Sequence, residues 1–304
     1  ARRNSNSAEG QEVVQSSRGL DINFSMHFPF FILPFDHRNG LARDVMNTAY
    51  PFSEVDLAKA KELKKMVLEA ILVVRDDYKG SGSLGSLFDE ETALDVILEA
   101  QKVGLPVTVS MEKSGTKTLE LIHGDKFGER LNELRPTFGK ILVHYHPGQE
   151  EENASQRKTI KEVSDFCETN GVPLMLEILL DKKQGHTADD MLKVFSEIHG
   201  AGIKVGIWKI EGFDKAEDWT KIAPEAQAPM IILGRGQNAS AVETWVQAAA
   251  KSGVVDGFAI GRTIFQDALS AYIQGTVSRA DAIQKVADNF KHFIQLWEKH
   301  SAQK

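Results

Sequence analysis

A lysine sits inside the apolar run Val205-Gly206-Ile207-Trp208-Lys209-Ile210-Glu211, and a glutamate inside Leu174-Met175-Leu176-Glu177-Ile178-Leu179. An ionised group in such a run loses its hydration, so each calls for a chemical reason. Period-two alternation puts Val205, Ile207 and Lys209 on one face of their segment, and Pro173, Met175 and Glu177 on one face of theirs. Both charges then point toward an interior. Burial disfavours an ammonium and leaves a free amine to attack a carbonyl, which is the chemistry of a Schiff-base lyase. The same residues also read as a buried ion pair, with Glu177 or Glu211 as the partner of Lys209.

A Schiff-base lyase needs a proton shuttle for loss of water and a base for the hydroxyl whose deprotonation drives carbon–carbon cleavage. Glu177 is one candidate. Asp36 is the other, at the end of Phe30-Phe31-Ile32-Leu33-Pro34-Phe35, although Asp36-His37-Arg38-Asn39-Gly40 also reads as a loop with an Asx turn. Two further segments suit an anion: Leu233-Gly234-Arg235-Gly236-Gln237-Asn238 and Ile260-Gly261-Arg262-Thr263, each ahead of a helix. Their glycines let backbone N–H groups approach a phosphate, the helix N-terminus favours negative charge, and Arg235 and Arg262 add forked donors. Tight-turn glycines are the alternative there. A rival chemistry uses His144 and His146, two apart in one run, with Glu177 as metal ligands, but the motif supplies no further ligand. Lys113, after another apolar run, competes with Lys209 for the imine.

The elements that must position these groups recur through the chain. Apolar runs at 30–35, 70–74, 105–110, 141–145, 172–178, 203–208, 230–233 and 254–260 read as eight strands, separated by stretches of helical spacing. Gly104, Gly139, Gly171, Gly202 and Gly253 stand between a helical stretch and the next run, the place of a helix-closing residue. Units of roughly 30 residues suit a βαβ crossover, and runs rich in Val, Ile and Leu suit parallel strands covered on both faces. The fold expected is a single-domain (β/α)8 TIM barrel. No Gly-x-Gly-x-x-Gly turn follows the first strand to favour an open doubly wound sheet. Residues 281–298 read as a last amphipathic helix against the barrel's outside.

Composition narrows the function. With 304 residues, 42% of them hydrophobic, the chain can fill a large core. A net charge of −7 argues against a nucleic-acid partner. No apolar run approaches the roughly 20 residues that span a bilayer, so no membrane partner is expected. The single cysteine, Cys167, fits a reducing compartment, and the cytoplasm is the default location. Residues 1–25 read as a flexible tail or a vector leader ahead of Met26, with the barrel over 26–304.

In the segments Ile32-Leu33-Pro34-Phe35-Asp36-His37-Arg38, Trp208-Lys209-Ile210-Glu211-Gly212 and Gly257-Phe258-Ala259-Ile260-Gly261-Arg262-Thr263-Ile264-Phe265, the chain resembles the class I aldolases found fused to 5-dehydro-2-deoxygluconokinase in myo-inositol catabolism. Tagatose-bisphosphate and sulfofructose-phosphate aldolases are related to these. The resemblance spans residues 26–300. It implies Lys209 as the Schiff-base lysine, Glu177 as the acid on strand five, and Asp36 and Lys140 as polar partners on strands one and four. Read without the resemblance, Lys140 begins its strand, far from the active end. The resemblance further implies phosphate held near Gly234 and Arg262; Arg38, Arg235, Gly236 and Gly261 are read with them as substrate or phosphate contacts. The implied reaction is cleavage of 5-dehydro-2-deoxygluconate 6-phosphate to dihydroxyacetone phosphate and malonate semialdehyde, with no metal or other cofactor. A homo-oligomer is compatible with it. Two departures stand out: Val74-Arg75-Asp76, where the family places an acid directly after the second apolar run, and the unusual loop Gly80-Ser81-Gly82-Ser83-Leu84-Gly85.

Overall fold

The computed structural model describes residues 27–180 and 186–301. The tail read over residues 1–25 and the start at Met26 lie outside them.

Eight parallel strands close into a barrel in chain order: β1 (Phe30–Phe35), β2 (Ser83–Asp89), β3 (Val107–Ser110), β4 (Phe138–His144), β5 (Leu174–Leu179), β6 (Ile207–Glu211), β7 (Met230–Leu233) and β8 (Gly257–Ala259), with β8 pairing back to β1. The helices are α1 (Asn39–Asp44), α2 (Glu54–Asp77), α3 (Glu90–Lys102), α4 (Phe127–Leu134), α5 (Glu150–Asn170), α6 (Ala188–Gly200), α7 (Ala216–Ala226), α8 (Ala239–Ser252), α9 (Arg262–Ile273) and α10 (Arg279–Ser301). This is the single-domain TIM barrel that the repeat predicts. Among the described residues no helix is long and apolar enough to cross a membrane.

The second strand is not where the apolar run placed it. Residues 70–74 are the later part of α2, a 24-residue helix capped by Ser53, whose side chain accepts from the Asp56 N–H. Leu63, Val67, Ala70, Ile71 and Val74 carry one helical face into the core, while Val73 is 37% exposed, as a helix requires and a buried strand does not. The strand begins at Ser83, inside the Gly/Ser-rich stretch read as a loop, and runs through Leu87-Phe88-Asp89. Its glycine has a packing reason: a Cβ on Gly85 would stand 2.6 Å from the Phe30 ring. With β2 relocated, Asp89 directly follows the apolar pair Leu87-Phe88. Asp89 caps α3 through the Thr92 N–H at 2.9 Å and forms a fully buried ion pair with Lys64 of α2.

The other seven strands overlap their predicted runs, with β6 and β8 starting later than the apolar sequence does. Gly171 and Gly253 close α5 and α8 in the left-handed conformation, as expected. Gly139 does not close a helix. It is the second residue of β4, and α4 closes at Arg135, which takes φ 44°.

Two apolar layers hold the fold. Phe30, Ile32, Leu87, Phe138, Met175, Ile207, Ile231 and Ala259 fill the lower barrel interior. A larger layer lies between strands and helices, and α10 packs there against α2, α8 and α9 with Phe290, Phe293, Ile294 and Trp297 buried. The apolar plug leaves the C-terminal end of the barrel as the place for polar side chains.

Candidate active site

Strand alternation decides what reaches that end. Continuing each inward series past the apolar plug gives Asp36 after Ile32 and Pro34, Lys140 after Phe138, Glu177 after Met175, and Lys209 after Ile207. Glu177 and Lys209 are register partners on neighbouring strands, and Lys140 pairs with Met175, one inward step lower. The low start of Lys140 is therefore no obstacle: its four-carbon stem climbs along the interior and brings the ammonium level with the others.

The result is one compact charge cluster. Lys140 Nζ lies 2.8 Å from each of Asp36 Oδ2, Glu112 Oε1 and Glu177 Oε2. Its three donors thus have three carboxylates. Lys209 Nζ donates to Glu177 Oε2 at 2.9 Å, so that oxygen faces both lysines. Lys140 is 1% exposed and Lys209 4%, which makes pairing obligatory. Burial would raise the Asp36 carboxyl, but Lys140 and Lys209 overcome it and hold it well below the usual carboxylate range. The same opposition, resolved the same way, lowers Glu177. Burial would lower Lys140, yet its three carboxylates raise it well above the usual lysine range. Lys140 is the fixed positive charge of the site.

The cluster forms the floor of a cavity of about 460 Å³. Eight Lys or Arg side chains and three carboxylates line it, in a chain of net charge −7. The wall made by the loops after β7 and β8 carries Gly234, Arg235, Gly236, Gly261 and Arg262. Arg235, at φ 46°, takes a left-handed conformation that is strained for a side chain. It is held there by Glu211 and by the Leu180 carbonyl oxygen at 2.6 Å. Gly236, at φ 68°, follows, and a Cβ on it would stand 2.5 Å from the Arg262 guanidinium carbon. Arg262 sits 3.6 Å from Asp44 and has a buried Nε without a partner. Across the ring, the loop after β3 brings Lys113 and Lys117 to the opposite rim. Lys113 pairs there with Glu120 at 2.9 Å.

Arg38 also lines the cavity, but its forks are turned to protein acceptors: Nη1 to Glu91 and Nη2 to the Glu112 carbonyl oxygen at 2.8 Å. The histidines separate. His144 lines the cavity, whereas His146 does not, its carbonyl oxygen accepting from Asn153 on α5. Among the described residues no three His, Cys, Asp or Glu side chains are grouped to hold a metal ion.

Among the site residues that went unread in the sequence are Glu112, His37 and Lys117. Glu112 lies past the end of β3, yet the inward series Thr108, Ser110, Glu112 would have found it had the alternation been continued. His37 follows Asp36, and its ring packs edge-on against Phe265 with Nδ1 buried, without a hydrogen bond, 3.9 Å from Asp36 Oδ1. Burial, with Arg262 adding to it against Asp36, lowers His37 to about 4, so the imidazole is neutral near pH 7.

Comparison with known proteins adds a family and a fold. Residues 25–301 match a family model described as "Uncharacterized protein conserved in bacteria (DUF2090)". No curated protein matches the sequence. Among solved structures the chain is similar to fructose-bisphosphate aldolase from Plasmodium falciparum, captured in a ternary co-crystal with TRAP and a small-molecule inhibitor. The TM-score is 0.67 with 12% identity, covering 92% of each chain. At that identity the likeness is one of fold.

Proposed function

The chain belongs to the DUF2090 family, and from the site it carries we propose that it is a class I aldolase that cleaves a phosphorylated keto sugar acid through an imine on Lys209. The observation that carries this reading is Lys209 on the floor of the cavity, in hydrogen-bond contact with Glu177 at 2.9 Å and beside a second, permanently charged lysine. The Lys209 amine adds to the substrate ketone. Glu177 takes the proton that Lys209 sheds as it becomes the free amine and delivers it to the departing hydroxyl, and water leaves an iminium ion. Asp36, kept ionised by Lys140, takes the proton of the hydroxyl two carbons from the iminium carbon. The carbon–carbon bond then breaks toward the iminium, giving an aldehyde and an enamine. Protonation and hydrolysis of the enamine release the second product and restore Lys209. The iminium is itself the electron sink, so the mechanism calls for no metal.

The cavity's charge supports an anion at each end. Arg262, Arg235 and the glycines at 234, 236 and 261 line the wall after β7 and β8, the usual phosphate position in phosphate-binding barrels, where α9 also begins. Lys113 and Lys117 stand opposite, suited to a carboxylate. Arg38 acts differently from the phosphate ligand expected of it, as a clamp that fixes Glu91 and the Glu112 backbone. A substrate of this kind is 5-dehydro-2-deoxygluconate 6-phosphate, split to dihydroxyacetone phosphate and malonate semialdehyde. Incubation with dihydroxyacetone phosphate and borohydride tests the reading. A covalent adduct mapping to Lys209 is expected, and an adduct confined to Lys113, or none, would overturn it.

A further inference from the structure

Glu112 presents a group that this mechanism leaves unused. It follows β3 at the inward position, fixed by an antiparallel bridge to Leu121 and by Arg38 on its carbonyl oxygen, and its side chain is only 9% exposed. Oε1 accepts from Lys140 at 2.8 Å, while Oε2 is buried with no hydrogen-bond partner. The charged groups facing it are Lys140 from β4, and Asp36 and Arg38 from the segment after β1.

The three carboxylates around Lys140 are not equivalent. Glu177 contacts both lysines, and Asp36 has Lys140 with the field of Lys209 behind it. Glu112 has the Lys140 contact alone, since Arg38 Nη2 stays 3.8 Å from Oε1 and donates elsewhere. An ionised oxygen buried without a donor carries its full desolvation penalty, and a proton on it relieves much of that penalty. Burial pushes the Glu112 carboxyl up, against the pull of Lys140 and Arg38. Of the three acids, Glu112 is the one that accepts a proton most readily.

Building on the Schiff-base reading, we propose that Glu112 is the proton store of the site, holding the proton that Lys209 must lose before it attacks and returning it when the carbinolamine loses water. Lys209 as an ammonium gives a proton to Glu177 Oε2, 2.9 Å away. Glu177 passes it to Lys140 as Lys140 gives one of its own to Glu112, each step across a 2.8 Å contact. The site then holds a neutral Lys209 amine, a charged Lys140 and a neutral Glu112 acid, with net charge unchanged. The amine adds to the ketone to give a neutral carbinolamine. The stored proton returns by the same path to the hydroxyl, the carbon–oxygen bond breaks, and water and the iminium result. Glu112 makes its hydrogen bond to Lys140, not to Lys209, and acts on the nucleophile through Lys140.

Glu112→Gln keeps the side-chain length and an oxygen for Lys140 but cannot take a proton. Imine formation on the full chain is followed by borohydride quenching at timed intervals after mixing with dihydroxyacetone phosphate. A proton store predicts Lys209 labelling about 100-fold slower near neutral pH, recovering as pH rises and solvent takes over the deprotonation. Wild-type labelling rates in the variant would overturn the proposal, because a merely structural acceptor is replaced by the amide. Should the variant fail to fold, a pH-indicator dye in weak buffer reads the wild type directly. No transient acidification is expected during imine formation, and release of a proton to solvent at each site would overturn the store. Wild type that takes no label at Lys209 would overturn both the Schiff-base reading and this one, whereas labelled wild type with an unslowed variant overturns the store alone.

Discussion

Replacing Lys140 by Met removes the cation that three carboxylates share and keeps most of the volume of its stem. Glu177 retains Lys209 at 2.9 Å, but Asp36 and Glu112 lose their contacts of 2.8 Å and stay buried. Removing one partner of a buried ion pair costs about 3–5 kcal/mol, which for a chain of this size lowers Tm by on the order of 10 °C. The sign of the pH dependence is the sharper test. In the wild type, Lys140 outweighs burial and holds Asp36 and Glu177 low, so their stabilisation is present above the unfolded carboxylate value and fades as pH falls through the folded values. Without Lys140, burial and mutual repulsion raise Asp36 and push Glu112 higher still, so the folded state binds protons that the unfolded chain has already released. Stability of the variant is then greatest near the unfolded value of about 4 and falls as pH rises through the raised ones. Urea unfolding from pH 5 to 8 measures the loss of stability and the falling pH slope of the variant. A variant less than about 1 kcal/mol below wild type, with an unchanged pH slope, would refute the claim that Lys140 neutralises the cluster.

Lys209→Met should abolish borohydride labelling and turnover with a smaller loss of stability, about 1.5–3 kcal/mol for one charge-assisted hydrogen bond, because Glu177 keeps Lys140; a folded variant that still turns over refutes the nucleophile. Arg262→Ala should raise KM for a phosphorylated substrate about 10- to 100-fold, from a contact of about 1.5–3 kcal/mol, and leave Tm near wild type; unchanged kinetics would move the phosphate elsewhere. Gly236→Ala should raise KM as well, by driving a methyl group against the Arg262 guanidinium and straining the backbone at φ 68°; wild-type KM would show that this wall does not bind substrate. A chelator should leave the rate untouched, and activity lost to chelation and restored by a divalent ion would replace the imine with metal chemistry.

The sequence by itself determined the architecture and most of the floor of the site. Apolar runs recurring at a regular interval, seven of them true strands, suit parallel strands under helices, and period-two alternation inside 174–179 and 205–211 already turned Glu177 and Lys209 inward. It misplaced β2 because the β-branched end of α2 resembles a strand locally, and only the packed barrel shows that a glycine is needed at Gly85, where Phe30 occupies the space. The charge cluster was beyond its reach for a related reason. Lys140 was implied by resemblance while its place low in β4 argued against it, and Glu112 fell past a strand end. Which carboxylates meet which lysine depends on register and tilt between strands tens of residues apart, and on how far a side chain climbs the interior. Those are relations between elements, and no periodicity within one element records them. The assignment of Lys140 to three acids, and the orphaned oxygen of Glu112, come from barrel closure alone.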